Sequence, residues 1–349
     1  MDGGGGEDFL SYSDALAGIA VNLAAGRGTA GDAAGDRFRS VDGVFGSLLG
    51  DTIYGSSGAD FLYGDSGDDF LSGGAGADVL IGSDGQDTAD YRSSSAGIRI
   101  DLRNTGAQSG GDAEGDALTA IENIIGSAFA DDLTASFAGG RLDGRDGDDV
   151  LRAGGGVDVL VGGGGIDLVH YAAARFEGVT VDLARGIGRG GVAEGDRYSG
   201  IEQVVGGQVA DVLTGGSAAE TLDGAEGDDR LNGGGGADVL IGGLGADALT
   251  GGGGADRFVW TEVAEGSPAA RDLVTDFDGA AGDRLDLSAF GAVYVGTGAL
   301  PGGGQAAVSW SSNANGTTLV RLDADGDGTL DLAFNLKGVA SLSAGDFIL

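Results

Sequence analysis

A nine-residue unit, Gly-Gly-x-Gly-x-Asp-x-U-x with U a large apolar residue, recurs seventeen times: once at 3–11, five times across 46–90, five times across 126–170 and six times across 206–259. Gly73-Gly74-Ala75-Gly76-Ala77-Asp78-Val79-Leu80-Ile81 is a full example. Asp fills the sixth position in fifteen units, Gly140 and Glu220 being the exceptions, and the eighth position is Leu, Ile, Val or Phe in all but one, where it is Ala89. Six residues dominated by Gly and Asp cannot sustain a helix or a strand, so they form a turn. The three residues that follow, such as Val79-Leu80-Ile81, make a short strand whose central side chain points to one side. Two units then build one coil of strand, turn, strand, turn. Coils stack about 4.8 Å apart, which places residues eighteen apart directly above one another.

That spacing aligns the sixth-position acids. Asp51, Asp69 and Asp87 fall on one edge of the first array and Asp60 and Asp78 on the other; Asp131, Asp149 and Asp167 share an edge of the second. With Asp8, Asp158, Asp211, Asp229, Asp238, Asp247 and Asp256 they form the set of candidate metal ligands. Carboxylates at a coil's spacing repel by roughly 3 kcal/mol per pair at intermediate dielectric. A hard divalent cation between successive turns removes the repulsion and takes Gly carbonyls as further ligands; such flexible, oxygen-rich turns suit a larger ion than Mg2+. Turns that merely solvate a surface do not require Asp at one fixed position.

Composition agrees with this. Acidic residues number 55 against 19 basic, a formal charge of −36, and 76 of the 349 residues are Gly. Both features point toward an expanded, flexible chain, yet 41% of residues are hydrophobic. A folded protein neutralised by bound cations reconciles the two. The absence of Cys and the single His exclude zinc fingers, iron–sulfur ligation and Cys nucleophiles. The net charge argues against nucleic acid as a partner. No run of 18 apolar residues is present, so no transmembrane segment is expected. Met1-Asp2-Gly3 opens without the basic and apolar regions of a cleaved export signal.

The nonapeptide resembles that of the RTX (repeats-in-toxin, hemolysin-type) calcium-binding family. The resemblance implies an all-β fold, a right-handed parallel β-roll or β-solenoid of stacked nonapeptide turns, holding multiple Ca2+ ions at its Asp edges.

A longer register of 80 residues organises the chain. Gly31-Asp32-Ala33-Ala34-Gly35-Asp36 recurs as Gly111-Asp112-Ala113-Glu114-Gly115-Asp116 and as Gly191-Val192-Ala193-Glu194-Gly195-Asp196; Val41-Asp42-Gly43-Val44 recurs as Ile121-Glu122-Asn123-Ile124 and Ile201-Glu202-Gln203-Val204. Three β-roll modules, 3–90, 91–170 and 171–259, follow from it. The segments 12–45, 91–125 and 171–205 are not nonapeptides. Each begins with Tyr (Tyr12, Tyr91, Tyr171) and continues into an alternating stretch such as Ile98-Arg99-Ile100-Asp101-Leu102. None has enough apolar residues for its own core, so each is expected to supply two wider coils to the stack. Asp36, Asp116 and Asp196 are either further calcium ligands or turn-capping residues.

Residues 260–349 differ in texture. Asp276-Phe277 leading to Gly282-Asp283-Arg284-Leu285-Asp286-Leu287-Ser288 resembles the C-terminal module of serralysin-type secreted proteases, and the chain finishes Asp346-Phe347-Ile348-Leu349, an acid followed by apolar residues. The resemblance implies a β-rich cap that carries a signal for a type I secretion apparatus, and hence a secreted, extracellular or cell-surface location. Asp323-Ala324-Asp325-Gly326-Asp327-Gly328 matches the opening of an EF-hand loop, but its twelfth position is Phe334 rather than Glu. Apolar alternation on both sides, Val320 and Leu322 before and Leu330 and Leu332 after, favours a β-hairpin.

No catalytic constellation emerges. No H-E-x-x-H motif is present, Gly64-Asp65-Ser66-Gly67 falls on a nonapeptide turn, and His170 ends another repeat without a nucleophile partner in the pattern. The chain reads as a secreted calcium-binding structural protein of a matrix, surface layer or filament; the alternative is the calcium-binding C-terminal roll and secretion module of a larger secreted enzyme or toxin. The first nonapeptide, Gly3 to Ser11, leaves a solenoid edge that invites head-to-tail self-association. Gly140 lies beneath Asp158 where an acid is missing. A weak or empty cation position is expected there and an occupied one between Asp131 and Asp149, with Gly140→Asp creating a site.

Overall fold

The computed structural model describes residues 1–171, 174–267 and 270–349. They form two compact units, one of Met1–Val169 with Asp196–Ile201, the other of His170–Gly195 with Glu202–Leu349. Both are built from short parallel strands separated by turns, as the nonapeptide predicts. Helical elements among the described residues are short 3-10 turns, and none is long and apolar enough to cross a membrane.

In the first unit, strands Phe9–Ser11, Gly43–Phe45, Phe61–Ser66, Val79–Asp84 and Ala117–Thr119 lie side by side in that order. Their central residues stack as Leu10, Val44, Leu62, Leu80 and Leu118. A second parallel series runs Val21, Ile53, Leu71, Ala89, Ile124, Leu142, Leu160 and Tyr198. A third joins Ile100, Leu133 and Leu151. The eighth position of each nonapeptide is therefore the core, and every side chain in these ladders is buried. Each fully buried Leu contributes about 1.5–3 kcal/mol.

The non-repeat segments enter the same sheets. Val44 and Val21 come from 12–45 and occupy the place of an eighth-position residue, as do Leu118, Ile124 and Ile100 from 91–125. The segments add wide coils to these sheets rather than separate domains. Part of the extra length folds back antiparallel, Ala20–Asn22 against Arg27–Ala30 in the first.

In the second unit one ladder runs Val181, Leu213, Leu231, Leu249, Val274 and Leu336, and another Val204, Leu222, Leu240, Phe258, Leu285 and Phe347. The stack thus continues beyond the last nonapeptide, through Leu273–Val274 and Arg284–Asp286. Antiparallel strands Ala307–Ser312, Thr317–Asp323 and Leu332–Lys337 then close it, with Trp260 stacked on Phe334 at 3.7 Å between ring centroids. Phe347–Ile348 pairs with Arg284–Asp286 as the final strand. The loop after Asp323 connects two antiparallel strands, the β-hairpin that its flanking alternation predicts.

Candidate metal centres

Each turn is shaped around its Asp. A side-chain carbon at Gly73, the first position of its unit, would collide with the Asp78 carboxylate of the same unit, and one at Gly64 with that of Asp69. Gly76 at the fourth position has φ +139°, and a side chain there would strike the carbonyl oxygen of Gly58 in the coil below. The turn is thus a cradle of glycine backbone, with a carboxylate on its floor and carbonyl oxygens facing the next coil.

The carboxylates form hydrogen-bonded ladders. The Asp51 N–H donates to Asp69 Oδ1 and Asp69 N–H to Asp87 Oδ1, both at 2.8 Å; Asp60 N–H donates to Asp78 Oδ1 at 2.8 Å on the opposite edge. Asp131, Asp149 and Asp167 repeat this at 2.8 and 2.9 Å. Asp211, Asp229 and Asp247 do so at 2.7 and 2.8 Å, and Glu220, Asp238 and Asp256 at 2.9 and 3.0 Å. Glu220 therefore fills the place of an Asp. Asp8 begins a ladder by donating to Asp42 Oδ2 at 2.8 Å, and is itself only half-buried.

One oxygen of the upper carboxylate in each of these pairs is accounted for in this way; the second often is not. Oδ2 of Asp69, Asp78, Asp87, Asp149, Asp229, Asp238 and Asp256 is buried with no protein hydrogen-bond partner, as is Oδ1 of Asp158. An unpartnered buried anionic oxygen is costly. Burial first, and like-charged neighbours after it, push the carboxyls of Asp69, Asp78 and Asp149 up to about 7 and that of Asp229 to about 8. Stacked, buried, half-satisfied carboxylates flanked by backbone carbonyls are an all-oxygen donor set, and they fit a hard divalent cation.

Where the repeat is interrupted, the second oxygen finds a protein donor instead. Asp78 N–H donates to Asp116 Oδ1 at 2.8 Å and the Tyr91 hydroxyl to Asp116 Oδ2 at 2.8 Å, so Asp116 closes its ladder with both oxygens bonded. Asp196 receives the Asp158 N–H at 2.8 Å. Asp36 lies off these ladders and accepts the Tyr12 hydroxyl at 2.9 Å. At the far end Asp272 accepts from Asp247 N–H at 3.0 Å and from Trp260 Nε1–H at 2.6 Å. Asp283 accepts from Asp256 N–H at 3.0 Å and Asp278 N–H at 2.8 Å. Ladder members Asp42, Glu122, Asp272 and Asp283 escape a search at eighteen-residue spacing because wider coils separate them from their partners; Asp87 N–H reaches Glu122 Oε2 across 35 residues at 2.9 Å. The 80-residue register that aligns Asp42 with Glu122 was the available signal.

Gly140 is the vacant rung, as its identity predicts, but it cannot be filled. A side-chain carbon there would collide with the backbone carbonyl of Glu122. The expectation that Gly140→Asp creates a site is therefore corrected. In the C-terminal hairpin, carboxylate oxygens of Asp323, Asp325 and Asp327 lie within 4.8 Å of one another. Asp323 accepts from Gly326 N–H at 2.7 Å and Gly328 N–H at 2.8 Å, so the turn is held by its own backbone.

Coil stacking and paired carboxylate ladders define a calcium-binding parallel β-roll. Residues 45–80, 54–89 and 139–169 match the family described as RTX calcium-binding nonapeptide repeat (4 copies), and residues 197–349 match that described as Peptidase M10 serralysin C terminal. The chain belongs to the RTX calcium-binding repeat proteins, its repeats bind calcium, and it ends in a serralysin-type C-terminal region. Among solved structures, it is similar to the AlgE6R3 subunit of the Azotobacter vinelandii mannuronan C5-epimerase, at 34% identity over 40% of this chain and 78% of that one, TM-score 0.33. The AlgE6R2 subunit of the same enzyme matches at 29% identity, over 40% and 91%, TM-score 0.30. The extracellular lipase LipA from Serratia marcescens matches at 21% identity over 66% of this chain and 40% of its own, TM-score 0.26. No match is found among curated proteins.

Proposed function

We propose that this chain is a secreted calcium-binding structural protein, a component of an extracellular matrix, surface layer or filament, that folds when it meets calcium outside the cell. The observation that carries the reading is the set of buried carboxylate oxygens without a protein partner, repeated coil after coil. Asp51, Asp60, Asp69, Asp78, Asp87, Asp131, Asp149, Asp158, Asp167, Asp211, Asp229, Asp238, Asp247 and Asp256, with Asp8 at the first coil, supply the anionic ligands, and turn carbonyls supply the rest. Bound cations remove the repulsion within each ladder; the role is architectural, not catalytic. At the low calcium of a cytosol the chain stays extended and passes a type I secretion apparatus led by its C-terminus. The match of 197–349 to a serralysin C-terminal region supports that route.

The test is secretion of a truncated chain. Removing residues from 290 onward should retain the protein inside cells that carry the apparatus. Normal export of the truncated chain would reduce 290–349 to a cap. A second reading, the roll of a larger secreted enzyme or toxin, is favoured by the same match, since the matched region is by description the C-terminal part of a peptidase. Long particles formed by the purified chain on addition of calcium support the structural role; a protein that stays monomeric supports the module.

A further inference from the structure

Position two of the nonapeptide turn is Gly, Ser, Ala or Asp in every unit but one, where it is Arg145. Arg145 is also the one Lys or Arg in all seventeen six-residue turns; the other basic residues of the repeats stand on the strands. It does not occupy an ordinary backbone conformation. Its φ is +79°, in the left-handed region that disfavours side chains. The equivalent residues of the neighbouring modules, Asp65 and Ala225 at the same place in the 80-residue register, share that conformation at φ +79° and +69°. The module thus imposes the left-handed turn, and the second module alone places a cation on it.

The guanidinium is half-buried and turns back toward the coil below. Arg145 Nη1 approaches the carbonyl oxygen of Ser127 at 3.5 Å, eighteen residues earlier and at the same position of its own turn. Ser127 is also the residue that cradles Asp131, through its N–H to Oδ2 at 2.7 Å and its hydroxyl to Oδ1 at 2.8 Å. Arg145 therefore sits over the space between the turns 126–131 and 144–149, bounded by Asp131 below and Asp149 above. It offers its charge to a carbonyl of the lower turn, a group that would otherwise face a bound ion.

We propose that Arg145 is a built-in cation that replaces the calcium ion between the first two turns of the second array, so that the Asp131/Asp149 position is neutralised by the chain itself. This position is the one expected above to be occupied by calcium; the replacement takes Asp131 out of the ligand set given above and leaves Asp149 to the next gap, shared with Asp167. The proposal rests on the ladder carboxylates being calcium ligands. It makes the three modules unequal: the corresponding gaps beside Asp65 and Ala225 take an ion, while the gap beside Arg145 does not.

Bound calcium per chain, measured by equilibrium dialysis on the full-length protein, tests it. Arg145→Ala gives the second module the residue that the third already tolerates in this conformation, and should raise the count by about one ion. Ala225→Arg should lower it by about one. Asp238→Asn, in a ladder remote in sequence from Arg145, serves as the control and should lower the count or weaken one site. An unchanged count in Arg145→Ala with a reduced one in Asp238→Asn overturns the proposal and leaves the calcium ladder standing. No change in either variant overturns both.

Discussion

At the scale of the residue, the governing fact is that most ladder Asp residues inside the arrays have one oxygen bonded to the coil below and one left over. Asp69 shows the consequence. Its Oδ1 accepts the Asp51 N–H at 2.8 Å, its Oδ2 is buried and unpartnered, and burial with its neighbours' charge holds the carboxyl at about 7. Asp69→Asn keeps an acceptor for Asp51 and discards the charge. It is predicted to weaken the affected calcium site by about tenfold or more, since affinity falls with ligand charge, yet to stabilise the chain in chelator by removing a repelling anion. Calcium titration of variant and wild type checks the first sign, and the β content of the two metal-free proteins compared at about pH 6, where the raised carboxyls allow partial folding, checks the second. The same carboxyls set a pH dependence. A group whose folded-state value is raised contributes stability that is complete below its unfolded value of about 3.9 and is lost as pH rises through the folded value. With Asp69, Asp78 and Asp149 at about 7, metal-free protein should gain β structure between about pH 8 and pH 5. Calcium binding near neutral pH should release protons, visible as a buffer-dependent heat in calorimetry. A metal-free spectrum indifferent to pH contradicts both.

At the scale of the element, the turn and the strand answer to different residues. Gly73→Ala sets a side-chain carbon against the Asp78 carboxylate; overpacking of this kind costs about 1–3 kcal/mol and should disable the neighbouring calcium position, checked by denaturation in saturating calcium. At the closing end, Trp260 donates to Asp272 at 2.6 Å, and both are buried. Trp260→Phe keeps the stack on Phe334 and leaves a buried carboxylate oxygen without its donor, a loss of about 1–3 kcal/mol in the same assay. The strand cores were legible in the eighth position of the repeat because each such residue has one neighbour above and one below. The wide coils were legible only as continuations, because their ladder members stand 34, 35 or 38 residues from their partners. Asp272 and Asp283 were hidden for the same reason: spacings of 25 and 27 residues break the period, while hydrogen bonding restores the geometry. The closure of Gly140 by the Glu122 carbonyl depends on a wide coil's path, which no repeat pattern encodes.

At the scale of the molecule, the balance lies between a thin apolar core and a charge of −36. Each coil buries one large side chain per strand, while backbone ordering alone costs about 1–2 kcal/mol per residue, and glycine, 76 of the residues, loses most on ordering. Ladder repulsion adds to the deficit. Folding is therefore predicted to be conditional on calcium, and each ion bound only by the folded state adds stability by mass action. Far-UV circular dichroism of the full-length chain, titrated with calcium from an excess of chelator, tests this most directly. The expected result is a disordered spectrum in chelator at pH 8 that converts cooperatively to β structure as calcium rises toward roughly 10⁻⁴–10⁻³ M, the range of extracellular modules. A β spectrum already complete in excess chelator at that pH, unchanged by calcium, would show that the ladders hold without a cation.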